Sequence, residues 1–137
     1  IQAAVLGAKL PHLDEYIEAR QKAATYYDEA FKNNSHILIP TRAANSTHVF
    51  HQYTLRLIEV DREALRNALA EAGIPAMIYY PVPLHMQKAY QDSRYKEGDF
   101  PVAERLANCV LSLPMHTELD EEQLAYITQN VLEALNT

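Results

Sequence analysis

The stretch Thr47-His48-Val49-Phe50-His51-Gln52-Tyr53-Thr54-Leu55-Arg56-Leu57-Ile58 decides the fold class. It is rich in β-branched and aromatic residues and reads as one long strand. Successive side chains of a strand point to opposite faces. Val49, His51, Tyr53, Leu55 and Leu57 therefore share one face, and His48, Phe50, Gln52, Thr54 and Arg56 the other.

Helical patterns surround this strand. Residues 1–32 place Val5, Leu6, Leu10, Leu13, Ile17, Ala24, Tyr27 and Phe31 near helical spacing. Pro11 removes a backbone donor and predicts a kink or a restart. Asn33-Asn34-Ser35 ends the segment. Downstream of the strand, Asp61 caps a helix over 62–72 with Leu65 and Leu69 on its apolar face, and Gly73 stops it. Ile74 to Tyr80 then reads as a second, shorter strand, followed by the stiff turn Pro81-Val82-Pro83. One helix joins the two strands, a connection compatible with either a hairpin-like or a crossover arrangement.

The polar stretch from His85 to Gly98 reads as a loop with a short helix at 86–90. Pro101 suits the first turn of another helix, carrying Val102, Leu106, Cys109 and Val110. Ser112 to Met115 reads as an extended link or edge strand. Asp120 and Gln123 have capping-box spacing, and the last helix presents Leu124, Ile127, Val131 and Leu135. Two or three strands among four or five helices predict an α+β layer domain, a few-stranded sheet packed by helices.

Composition narrows the function. The chain has 137 residues, 48% of them hydrophobic, enough for one domain with its own core. No apolar run approaches the ~18 residues of a membrane span. The net charge of −6 supplies no global basic field for nucleic acid. Cys109, the single cysteine, permits no intrachain disulfide and reads as a small core residue. No signal peptide is visible, and a cytoplasmic location is expected. The chain opens without Met, directly in a helical pattern, which raises the expectation of a fragment.

Six histidines invite a metal reading. His48 and His51 are three apart, and on a strand that offset puts them on opposite faces, so no metal site is predicted. His116 lies near Glu118 and Asp120, acids that the following helix N-terminus explains. No nucleophile elbow is present, and three scattered glycines form no phosphate-cradling loop. The informative segment is Tyr79-Tyr80-Pro81-Val82-Pro83-Leu84-His85. Two prolines limit the freedom of this turn, so the flanking phenols and imidazole can be held in place to donate hydrogen bonds. A surface turn with packed aromatics is the alternative.

Five stretches, taken in order, resemble the DegT/DnrJ/EryC1/StrS aminotransferases. They are Ile1 to Leu13 with Lys9-Leu10-Pro11-His12, then His48-Val49-Phe50-His51-Gln52-Tyr53, then Tyr80-Pro81-Val82-Pro83-Leu84-His85. Tyr95 to Arg105 and Leu111-Ser112-Leu113-Pro114-Met115 complete the set. The resemblance implies the small C-terminal domain of a fold-type-I transferase dependent on pyridoxal phosphate (PLP). Residues 1–32 would be the helix leading from a large domain, and 33–137 the small domain itself. The family transfers an amino group, commonly from glutamate, to a keto sugar that is usually nucleotide-linked, and works as a homodimer. No catalytic or cofactor-binding residue is expected here. None of Lys9, Lys22, Lys32, Lys88 and Lys96 has the family's Schiff-base context, so the chain alone is expected to be inactive and to bind no cofactor. Tyr79, Tyr80, His85 and His48 are the substrate-side residues that the resemblance implies. Tyr79 stands where many relatives have His, and a phenol with an ordinary pKa near 10 is a poor proton carrier at neutral pH. A non-catalytic binding or regulatory module is the alternative function.

Overall fold

The computed structural model describes residues 1–136. Helix α1 (Gln2–Lys9) runs into a 3-10 turn at Leu10–His12, and α2 (Leu13–Phe31) follows. The turn falls at Pro11, whose missing N–H interrupts the α-helical ladder. α2 buries Ala23, Ala24, Tyr27 and Phe31, one stripe at helical spacing. α1 buries nothing: Val5 and Leu6 stay exposed, as does Leu10 in the turn that follows.

Three antiparallel strands form the sheet in the order β1 (Ile37–Leu38), β2 (Tyr53–Leu57), β3 (Val110–Leu113). Ile37 lies opposite Leu57, and Tyr53 opposite Leu113. β2 alternates as its sequence dictates, with Tyr53, Leu55 and Leu57 buried. On its other face the Thr54 and Ser112 hydroxyls bond at 2.8 Å, satisfying both in a part-buried position.

α3 (Arg62–Glu71) and α5 (Glu121–Leu135) pack on each other, with α2 against α5. Leu65 and Leu69 of α3, and Leu124, Ile127 and Val131 of α5, join the sheet residues in one core. Asp61 accepts from the Glu63 and Ala64 amides at 3.0 Å each, and Asp120 forms the capping box with Gln123. At the end of α3, Gly73 takes φ 73°, and the Ile74 amide donates to Leu69 O at 2.8 Å. α4 (Pro101–Cys109) lies by β2 and leads directly into β3.

Several sequence expectations change. The strand does not span 47–58. Phe50 adopts φ 49°, a left-handed conformation that breaks the ladder before it reaches Tyr53. That rotation turns Phe50 inward, 3% exposed, whereas Val49 is 48% exposed and His51 also faces outward. His48 and His51 therefore lie outside any strand, and the opposite-faces argument about them does not apply. Residues 74–80 form no strand: Met77 makes a single bridge to Ser112, and Pro75 and Pro81 lack the N–H groups that a ladder uses. The short helix at 86–90 is two 3-10 turns, Leu84–Met86 and Lys88–Tyr90. Val110 belongs to β3 and not to α4. Cys109 is only half-buried, and β1 was not foreseen.

Candidate functional site

The proline turn and α4 enclose a cleft of about 590 Å³. Tyr79, Tyr80 and Leu84 form one wall, and Ala103, Leu106 and Ala107 of α4 form the other. The turn is internally braced. The Met86 amide donates to Pro83 O at 2.9 Å, and Gln87 Nε2 donates to Val82 O at 3.1 Å. Tyr79 and Tyr80 meet edge to face with ring centroids 6.1 Å apart. Tyr80 is 74% exposed and Tyr79 40%. An aliphatic wall facing two exposed phenols suits a flat or glycosidic ligand with polar edges.

His85 stands behind this wall and does not line the cleft. Its Nε2 and Glu104 Oε1 are 2.9 Å apart, and the two side chains are only 8% and 17% exposed. The His85 ring packs on Phe100 at 4.7 Å, and Tyr95 meets Phe100 from another side at 5.5 Å. Glu104 also accepts from the Gly98 amide at 3.0 Å and from the Phe100 amide at 3.2 Å. Gly98 reaches it with φ 92°. Desolvation by itself would raise the Glu104 carboxyl. The Phe100 and Gly98 amides and the His85 imidazole outweigh it and hold the group below the usual carboxylate value.

His48 lies apart, in the turn beside α2. Its Nδ1 accepts from the Phe50 amide at 2.8 Å, and its carbonyl accepts from Gln21 Nε2 at 3.1 Å. Arg20 braces the same turn. One guanidinium nitrogen donates to Phe50 O, His51 O and Met115 O at 3.1, 3.4 and 3.2 Å. Beneath it, Tyr53 donates to Asp28 Oδ1 at 2.7 Å, while Arg42 donates to Asp28 Oδ2 and covers the Phe50 ring. Burial first, then the hydrogen bond to Asp28, pushes the Tyr53 phenol well above its ordinary value.

The structure thus joins Tyr79 and Tyr80 in one cleft, sets His85 behind it and leaves His48 elsewhere. Sequence reasoning passed over Glu104, Arg20 and Gln87. An acid one turn inside a helix that follows Gly-Asp-Phe-Pro was the available signal for Glu104. Among the described residues, no three His, Cys, Asp or Glu side chains gather as metal ligands, and no helix is long and apolar enough to cross a membrane.

The braced aromatic turn faces a helix across an apolar cleft within an α+β domain. The DegT/DnrJ/EryC1/StrS aminotransferase family model matches residues 1–132, and the chain belongs to that family. It is 42% identical, over 97% of its length, to a "Pleiotropic regulatory protein" of Geobacillus stearothermophilus, of which it covers 36%. It is 41% identical, over 99% of its length, to a UDP-N-acetyl-3-dehydro-α-D-glucosamine 3-aminotransferase of Acidithiobacillus ferrooxidans, again covering 36%. Among solved structures, DesV of S. venezuelae, crystallised with a ketimine intermediate, matches with TM-score 0.90 and 36% identity over 96% of this chain and 35% of that one. The chain spans about a third of the length of these relatives.

Proposed function

We propose that this chain is the substrate-side domain of a PLP-dependent aminotransferase that aminates a nucleotide-linked keto sugar, with glutamate as the amino donor. The observation that carries the reading is the Tyr79–Tyr80 cleft, within a chain similar along nearly its whole length to a UDP-sugar aminotransferase. Residues 1–32 lead in from a cofactor-bearing domain, and 33–137 form the small domain. The working enzyme is a homodimer.

PLP supplies the electron sink for amino transfer. The residues of this chain do not make a seat for it. All five lysines are exposed, and Lys96, which lines a polar hollow, sits there with Asp92 and Glu97, whose charges repel a phosphate. On this reading the imine-forming lysine lies elsewhere in the enzyme. This domain's part is to bind and orient. The Tyr79 and Tyr80 hydroxyls donate to sugar or phosphate oxygens, and the α4 wall excludes water from the apolar side. His85 supports the phenols from behind, and His48 contributes where the rest of the enzyme closes over its turn. Neither phenol is needed as a proton carrier.

The test is glutamate-dependent amination of a keto sugar nucleotide. The chain alone should give no turnover. In the complete enzyme, Tyr80→Ala should raise the sugar-nucleotide KM about tenfold or more while leaving the glutamate half-reaction intact. Turnover by the chain alone, or an unchanged KM, refutes the reading.

The name of the Geobacillus stearothermophilus relative favours a second reading, a non-catalytic regulatory module. A gel shift that persists at physiological salt would support it over the enzyme.

A further inference from the structure

The strongest unassigned feature is the carboxylate of Glu104. It engages His85 Nε2 at 2.9 Å, both of its oxygens meet the Gly98 amide at 3.0 Å, and Oε1 accepts from the Phe100 amide at 3.2 Å. The His85 and Glu104 side chains are 8% and 17% exposed, so breaking their bond would leave two poorly hydrated polar groups unpaired. Glu104 sits on the helix whose Ala103, Leu106 and Ala107 line the cleft, and His85 belongs to the turn that carries the opposite wall. The His85–Glu104 bond therefore ties the two walls together.

We propose that Glu104 is a positioning residue: through His85 and the backbone of 98–100 it fixes the proline turn on α4 and sets where the Tyr79 and Tyr80 phenols stand. The proposal rests on the reading that these phenols meet a nucleotide sugar. Glu104 itself touches no substrate. With Nε2 occupied and the ring packed on Phe100, His85 transmits position instead of offering that nitrogen to a ligand.

The experiment is calorimetric titration of the complete, PLP-loaded enzyme with UDP and with dTDP, comparing wild type, Tyr80→Ala, Glu104→Ala, Glu104→Gln, His85→Ala and the His85→Ala/Glu104→Ala double variant. Glu104→Ala should weaken the better-bound nucleotide about tenfold. Glu104→Gln should fall between, because its amide oxygen keeps the acceptor position of Oε1 while its NH₂ opposes the Gly98 amide. The double variant should bind no more weakly than the weaker single one, the mark of residues acting as one unit. Nitrogen-15 spectra of the wild type should show a proton on His85 Nε2, as a donor to a carboxylate requires. That readout holds even if Glu104→Ala fails to fold. If Glu104→Ala binds like wild type while Tyr80→Ala is weak, the positioning role is wrong and the site reading stands. An unprotonated His85 Nε2 overturns the role as well. If Tyr80→Ala binds like wild type, or the wild type binds neither nucleotide, the site reading fails and takes this proposal with it.

Discussion

Tyr53→Phe removes one oxygen and leaves the ring in place. The ring is fully buried, 4.9 Å from Tyr27 and 6.2 Å from Phe50, so no cavity opens. What is lost is the 2.7 Å bond to Asp28 Oδ1. A hydrogen bond to a charged group contributes about 1.5–3 kcal/mol. Asp28 keeps Arg42 and is 18% exposed, so water can replace part of the loss. The expected destabilisation is therefore about 1.5 kcal/mol at pH 7.5, at the low end of that range. The sign of the pH dependence follows from the raised phenol. Its contribution is fully present below the ordinary value of 10.0 and is lost as pH rises toward the higher folded value, because only the unfolded chain ionises in that window. The gap between wild type and variant should shrink by about 1.4 kcal/mol per pH unit above 10. Urea denaturation at pH 7.5, 10 and 11 measures both quantities. Equal stability at pH 7.5, or a gap that ignores pH, would refute the buried Tyr53–Asp28 bond.

Three further outcomes follow from the same contacts. Asp120→Ala opens the capping box of α5 and should cost about 1 kcal/mol in thermal melts, with Asp120→Asn largely spared. Arg20→Ala frees three carbonyls at once and should cost about 1.5–3 kcal/mol, with faster hydrogen exchange at residues 48–53; Arg20→Lys should recover part of this. The Glu104 clamp should open in acid. Its carboxyl is lowered, so its contribution is present above the ordinary value of 4.5 and is lost as pH falls through the lower folded value; His85 ring shifts followed from pH 6 to 3 report it.

The parts of the fold legible in sequence are those set by local chemistry. Asp61, Gly73 and Asp120 mark helix ends because each satisfies orphan backbone groups a few residues away. Tyr53, Leu55 and Leu57 alternate into the core because a strand leaves them no other choice. Phe50 broke the same pattern because its left-handed turn is held from a distance by Arg20, on a helix thirty residues earlier. β1 is two residues long and exists only through pairing with β2, so no local signal announces it. In the site, Tyr79 and Tyr80 were legible because prolines flag a stiff turn with exposed phenols. Glu104 was legible only in part: Gly98 and Phe100 lie within six residues of it, but His85, nineteen residues away, reaches it only once α4 and the loop have folded together. His48 lies away from the cleft, with its Nδ1 accepting from the Phe50 amide.

The proposed role of the Tyr79–Tyr80 cleft is to receive a nucleotide sugar. The most direct measurement is a crystal structure of the complete enzyme with PLP and the amino-sugar nucleotide product. A sugar or phosphate oxygen is expected within hydrogen-bond distance of the Tyr80 hydroxyl, with the His85–Glu104 pair intact behind it. A nucleotide bound with no contact to Tyr79 or Tyr80 would contradict that role.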